Sequence, residues 1–556
     1  MSGAGFTIWR VRLQTAMLVL VLLWLPEPGF AQGSGFAQGL VPGQAVFDPA
    51  LIGNVIGTAL NFLRPRTLEA YSSRQFTLWG LNGLTAIDPS LTIESVDDNV
   101  RLVTPQRVLH AQKAPPEQDL AAWTQIAVAM AESAWDGSQP IRNAGQQVLI
   151  QSFFDELFNH LDPYSRYIAP APATSDRTAR NGAEASVGII VSRVGRIAVI
   201  SAVNANGPAW AAGISAGQRL LAVNGHSTRG EDDATIAGWL QGLDGSSVTL
   251  LVAPAVGRGA DRAIALTRTR VPPETVFAFS SGDIVVLRIT SFSADTAQEM
   301  SQFLDQAMQL NPDGAGALAE GANRALADGT IRPSRIHGLI FDLRGNRGGL
   351  LQQAVTAVAL VLDHGVAVVT RGRNPQANHI WTVQGGDLTG GIPIVVLVDG
   401  RTASAAEIMA AALADHRRAV VVGSTTLGKG LVQTIAQMPD GGELFVTWSR
   451  VIAPLGWPLQ GLGVMPQVCT SMGHDALAQA LADLAKNVQD NARAVRESRR
   501  ARPPLPISRI LEIRAACPAA IGSDADLDGA RALIDDPVRY RAALVPDEAD
   551  PAAHLE

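Results

Sequence analysis

Cysteine is nearly absent from this 556-residue chain, which has only Cys469 and Cys517. Two cysteines that far apart argue against a thiolate metal site, and they leave open either one long-range bridge or two buried thiols. A bridge would close a loop of roughly fifty residues and add about 3 to 4 kcal/mol in the chain-entropy picture. Basic runs are also missing. With no Lys/Arg-rich stripe and a formal charge of −7, a non-specific polyanion binder is a poor fit. The nine histidines, His337 and His379 among them, are scattered without metal-ligand spacing. There is no long polar low-complexity tract, and 47% of residues are hydrophobic. Large cores are therefore affordable, and the length asks for three or four units.

The chain start has the layout of a secretory signal cleaved near Ala31. Arg10 and Arg12 precede the apolar run Ala16 to Leu25, and Pro26 and small residues follow. The run is short for a bilayer crossing, so a membrane anchor is the competing reading. No cysteine follows it, which argues against lipid modification. Loss of residues 1–31 would leave a charge of −8. The expectation is an exported, periplasmic protein, in a compartment where a disulfide persists.

Segment 32–43 reads as flexible, and residues 32–184 as a mainly helical region. Ile150–Leu161 has helical spacing, and Thr92–Val103 has the look of a short hairpin. From 185 to 271 the pattern changes to short β runs with glycine turns. Pro272-Pro273 forms a linker, Asp283–Phe292 a strand, Thr296–Gln309 an amphipathic helix, and 311–335 an insertion. Strands then alternate with helices to Val468, which makes 272–468 an α/β core. Residues 469–556 read as a helical extension. Leu477, Leu481, Leu484 and Val488 form one stripe, preferred as core packing over subunit pairing, and Arg499–Pro504 marks a break.

Chemistry concentrates in two stretches, neither of which contains a histidine. In the first, the apolar run Ile394–Val398 breaks at Gly400 and enters Thr402-Ala403-Ser404-Ala405-Ala406-Glu407. In the second, Val420–Val422 leads to Gly428-Lys429-Gly430. A serine on a strand-to-helix turn is poised as a nucleophile, and a lysine between glycines beside buried strands can be desolvated enough to act as a base. Taken alone, Ser404 is also an ordinary helix N-cap. A phosphate loop is ruled out because Gly430, not Ser or Thr, follows Lys429. Asp415 and His416 are adjacent, about 100° apart on a helix, and so are badly placed for a relay to Ser404.

Together with Gly338–Gly349, these motifs resemble the carboxyl-terminal processing peptidases, or tail-specific proteases, over Phe154 to Val468. The resemblance implies a multidomain α/β fold with a Ser/Lys peptidase core of the ClpP/crotonase kind and no cofactor. Ser404 would be the nucleophile, Lys429 the base, and Gln433 the residue that orients the lysine by hydrogen bonding. The oxyanion hole would come from the amides of Ala405 and Gly349, with Gly348 as the alternative donor. The chain departs from the family pattern at Ala406, Arg347 and Gln467, positions that bear on loop geometry or specificity more than on chemistry. Asp415 lies where some members have a supporting carboxylate, and a structural role is the preferred reading for it.

Gly207–Ile214 and Gly217–Gly225 resemble a PDZ domain, which adds a peptide strand to a sheet edge and captures its terminal carboxylate on backbone amides. In that resemblance Val187, Gly188, Ile189 and Ile190 bind the peptide, and a helix Asp232–Leu240 forms the second wall. The expected partners are proteins or peptides with free C-terminal tails, not nucleic acid, with a homo-oligomer or adaptor left open. Membrane contact would come only through an uncleaved signal. A catalytically silent PDZ scaffold is the rival, but it would be expected to lose Ser404 or Lys429. A hydrolase of non-peptide acyl substrates fits a carboxylate-binding loop less naturally.

Overall fold

The computed structural model describes residues 47–96, 98–181, 185–204, 207–254, 260–271, 274–309, 336–488 and 491–544. The expected signal at 1–31, the segment 32–43, the Pro272-Pro273 linker and the insertion 311–335 lie outside the described residues. Buried apolar side chains gather in four clusters. One belongs to the N-terminal region, one to the glycine-rich β segment, and one to each face of the parallel sheet that carries Ser404.

The N-terminal cluster is helical. The helix Pro49–Leu63 starts on Asp48, whose carboxylate accepts from Ala50 and Leu51, and Pro49 fits the first turn, where its missing N–H costs nothing. Ser72 and Gln75 form a reciprocal capping box at the helix Ser73–Leu81. With the helices Leu120–Gly137 and Gln146–Phe158 they bury Phe76, Trp123 and Phe154. The expected hairpin is present as β1 (Thr92–Val96) and β2 (Asn99–Val103), extended by β3 (Val108–Lys113) into a three-stranded antiparallel sheet. Then β4 (Arg166–Ile168) leaves this region to join a sheet of the core.

A separate buried cluster belongs to the sheet formed by β5 (Ile189–Val194), β6 (Ile197–Val203), β7 (Arg219–Val223), β8 (His226–Ser227), β9 (Ser247–Ala253) and β10 (Arg262–Thr267). The order is β10-β9-β7-β6-β5, antiparallel throughout, with β8 on β7. That order puts β5 at a sheet edge, beside the helix Asp233–Leu240, which Asp232 caps.

The core sheet runs β11 (Val276–Ser281), β12 (Ile284–Ile289), β13 (Gly338–Asp342), β16, β17 and β20. A second sheet is made from β14 (His364–Arg371), β15 (His379–Gln384), β18 and β19. Here β16 is Ile394–Val398, β17 Val420–Gly423, β18 Leu431–Gln437, β19 Glu443–Ile452 and β20 Val468–Cys469. All pairs from β12 to β20 in the first sheet are parallel. Every residue of β13, β16 and β17 is buried, as expected for strands covered on both faces. The helix Ala405–Asp415 is also buried along its whole length, because its alanines let it lie close against its neighbours.

The C-terminal helices form part of this core. Ala530, Leu533, Ile534 and Tyr540 share a cluster with Ile340, Val395 and Val422. The Tyr540 hydroxyl donates to Ile394 O and accepts from Ile394 N. Leu477 and Leu484 of the helix His474–Leu484 are buried, but Val488 lies past its end and is half-exposed, so the expected stripe stops one member short. Cys469 and Cys517 are bridged. The bridge fixes the segment that runs beneath the turns after β16 and β17, where Thr425 Oγ1 donates to Cys517 O and Gly400 N to Ala520 O. Replacing both cysteines with alanine should lower unfolding stability by about 2 to 4 kcal/mol. Urea titrations with and without reductant check this, since reductant should shift the wild type towards the double variant and leave the variant unmoved.

Candidate active site

At the carboxyl ends of β13, β16 and β17 three turns converge, the usual place for a site in a parallel sheet. They carry Gly348 and Gly349, Ser404, and Lys429. Ser404 joins β16 to the helix Ala405–Asp415 at φ +58° and ψ −120°. A side-chain-bearing residue pays strain to sit there, as a nucleophile on a sharp strand-to-helix turn does. Asp399, fully buried, holds the turn by accepting from Gly345, Arg401 and Thr402 amides and from the Thr402 hydroxyl.

Glu407 ties two of these turns together. Its carboxylate is fully buried and accepts four hydrogen bonds. Oε2 takes the amides of Ser404 (2.7 Å) and Lys429 (2.9 Å). Oε1 takes the Thr426 hydroxyl (2.5 Å) and the Gly428 amide (2.7 Å). Because one oxygen holds both residues, their backbone nitrogens lie no farther apart than the two bond lengths together. Burial pushes the Glu407 carboxyl above its ordinary pKa, and the four donors pull it back. Glu407 stands in the quoted serine motif but received no role from the sequence. The Ser-x-x-Glu spacing of a capping box was the signal available.

Lys429 is half-buried, and its Nζ lies 4.9 Å from the centroid of the Tyr164 ring. Burial lowers its pKa first and the Arg166 charge second, while Glu407 acts in the opposite sense. Among the described residues no hydrogen bond joins Lys429 Nζ to Ser404 Oγ. Gln433 sits on β18 and does not bond to Lys429. Its Nε2 donates to Leu431 O and to Thr447 Oγ1. The register of β18 against β19 shifts between Val432 and Gln433.

The two glycines differ. The Gly348 amide donates to Asn346 Oδ1 at 2.8 Å, whereas the amides of Gly349 and Ala405 have no partner among the described residues. A Cβ on Gly348 would sit 2.7 Å from Ser404 Cβ and 2.9 Å from Ala405 N, and a Cβ on Gly349 would sit 2.1 Å from Phe292 O, so neither position tolerates a side chain. Of the departures from the family pattern, Ala406 is buried, Arg347 is exposed, and Gln467 bonds through its side chain to Val421 N within the sheet.

Asp415 and His416 lie at the far end of the helix from Ser404. Asp415 accepts from Leu455 N and Trp457 Nε1 and pairs with Arg499, and the His416 ring meets Val366 O. These contacts tie the end of the helix to the segment after β19 and to β14. In the β segment, the Val187 side chain is fully buried in the cluster while Ile190 is exposed, and the Gly188 amide is taken by Ser186 Oγ. Ile189 and Ile190 open the edge strand β5.

Residues 319–470 match the model for peptidase family S41, and residues 199–254 match a PDZ domain. A carboxy-terminal-processing protease of Bartonella bacilliformis is 30% identical over 323 residues, which is 58% of this chain and 69% of that protein. A carboxyl-terminal-processing protease of Picosynechococcus sp. is 32% identical over 311 residues, 55% of this chain and 69% of that one. Among solved structures, a photosystem II D1 C-terminal processing protease is similar at 22% identity and a TM-score of 0.33, over 73% of this chain and 97% of its own.

Glu407→Gln keeps the shape of the side chain but turns one acceptor into a donor that faces N–H and O–H groups. It should cost about 1 to 3 kcal/mol of stability and lower kcat/KM on a peptide at least about tenfold. Urea unfolding and a fluorogenic-peptide assay check both, and an unchanged variant would show that the clamp does not matter.

Proposed function

The chain belongs to the carboxy-terminal processing proteases of peptidase family S41 and is a serine-type peptidase with a PDZ domain; from that premise we propose that it cuts peptide bonds with Ser404 as nucleophile and Lys429 as general base. The observation that carries this reading is the strained backbone of Ser404, held by the same buried oxygen that holds Lys429. Neutral Lys429 takes the proton from Ser404 Oγ as it attacks the scissile carbonyl, and the ammonium so formed gives that proton to the leaving nitrogen as the C–N bond breaks. The carbonyl oxygen, as it gains charge, accepts from the amides of Ala405 and Gly349. Water then releases the acyl group by the reverse proton path. Gln433 Oε1 accepts no hydrogen bond from a described residue, which leaves it for the lysine during turnover.

Substrate delivery belongs to the PDZ domain. Its β5 edge accepts an extended tail as an added strand, and the segment Val187–Ile190 receives the terminal carboxylate. Export is supported by the Cys469–Cys517 bridge, which suits an oxidising compartment. Among the described residues no helix is long and apolar enough to cross a membrane.

Ser404→Ala and Lys429→Ala should each abolish cleavage of an unfolded protein with an apolar C-terminus, with folding nearly unchanged. Substantial activity in Lys429→Ala would remove the lysine from the mechanism. Because burial lowers the Lys429 pKa, kcat/KM should rise with pH through an ionisation below the ordinary lysine value of 10.5. A profile flat from about pH 6 to 9 would contradict a lysine base. Amidating the substrate C-terminus should slow cleavage through a higher KM, and equal rates for amide and free acid at all concentrations would refute tail capture.

A further inference from the structure

Lys429 is covered by a turn that comes from far away in the chain. In Asp162–Arg166 the Asp162 carboxylate accepts from the Tyr164 amide (3.0 Å), the Ser165 amide (3.1 Å) and the Ser165 hydroxyl (2.5 Å). The same carboxylate accepts from Thr447 Oγ1 of β19 at 2.6 Å, and Ser165 Oγ accepts from Thr447 N at 2.9 Å. Thr447 Oγ1 is also the acceptor for Gln433. The turn is thus sewn to the strand next to the one that follows Lys429. Beyond it, β4 continues the attachment by pairing with Glu443–Phe445.

Two side chains of this turn reach the lysine's surroundings. The Tyr164 ring stands over Lys429 Nζ at 4.9 Å. The Arg166 guanidinium lies 4.2 Å from the Phe445 ring centroid and donates to Tyr164 O at 3.1 Å, so its charge is held in place although the residue is solvent-accessible.

We propose that the Asp162–Arg166 turn is a positioning element of the peptidase site: it sets the Tyr164 ring over the Lys429 amine and the Arg166 charge beside it, with Asp162 as the clamp. This rests on the reading of Lys429 as the base. The groups facing Lys429 are Tyr164 and Arg166 from the turn and Glu407 from the helix Ala405–Asp415. Arg514 of the helix Ile507–Arg514 lies within electrostatic range of Glu407 and donates to Gly461 O and Leu462 O. The ring keeps water from the amine, and a neighbouring positive charge disfavours the ammonium, so both favour the neutral base. A cation–π attraction of Tyr164 for the ammonium works the other way, and the direction in which the Tyr164→Ala limb moves shows which of the two prevails. The N-terminal region therefore contributes to the chemistry of a site whose nucleophile and base both come from the core.

The test is the pH dependence of kcat/KM for the full chain and its variants on one peptide. Arg166→Gln removes a like charge, so the Lys429 pKa rises and the rising limb should move to higher pH, by about half a unit given solvent screening. Arg166→Lys should bring it back towards wild type. Tyr164→Ala should move the limb the same way, and Tyr164→Phe, which keeps the ring, should lie nearer wild type. Arg166 is exposed, so its replacement leaves the core packing intact and the result interpretable even if Tyr164→Ala folds poorly. Limbs for Arg166→Gln and Tyr164→Ala that both coincide with wild type would overturn the proposal. Activity retained in Lys429→Ala would instead overturn the lysine base itself.

Discussion

The site hangs on one buried carboxylate. Glu407 has no contact with water, and in such a place an unaided charge would be neutralised by protonation. Four donors oppose that, and three of them are backbone amides belonging to the serine turn and the lysine turn. The carboxylate sits in the first turn of the helix Ala405–Asp415, where the helix dipole also favours negative charge. Loss of any one donor leaves the carboxyl group under-satisfied, and the two turns share it as a common tie. The arrangement carries a conflict. A negative charge near Lys429 favours its ammonium, which is the wrong form for a base. The lysine's own burial outweighs that attraction, because Glu407 bonds to the Lys429 amide and not to its amine.

Around this clamp the fold supplies rigidity from three directions. The parallel sheet delivers the turns from buried strands. The segment after the Cys469–Cys517 bridge closes them from below: Ser424 and Ala520 exchange hydrogen bonds, and Gly522 N donates to Asp399 Oδ2. The N-terminal region closes them from the side through Asp162 and β4. Residues hundreds of positions apart thus share one small volume, and the C-terminal helices belong to the core cluster as fully as the strands do.

What the sequence made legible was local. Ser404 and Lys429 stood out because each ends an apolar run at a turn, and the helix Thr296–Gln309 followed its apolar spacing to the residue. The stripe through Val488 overran because a periodic pattern does not show where a helix ends, and the chain turns at Ala485. Gln433 was assigned to the lysine by resemblance alone, and in the structure its Nε2 bonds to Leu431 O and Thr447 Oγ1. Gly349 was set ahead of Gly348 by resemblance alone; in the structure the Asn346 side chain takes the Gly348 amide. Asp162–Tyr167 resembles the family segment that precedes the binding domain, but nothing in it puts Tyr164 beside Lys429: that nearness depends on the pairing of β4 with β19, which no local pattern encodes.

The central claim is that a neutral Lys429 activates Ser404. It is tested most directly by the rate at which a fluorophosphonate labels the protein as pH is varied, read by intact mass and peptide mapping in the wild type and in Lys429→Met. The account predicts labelling at Ser404 alone, with a rate that rises with pH through one ionisation below the ordinary lysine range and that loses this rise in the variant. Equal labelling of the two proteins across pH, or modification at a residue other than Ser404, would contradict it.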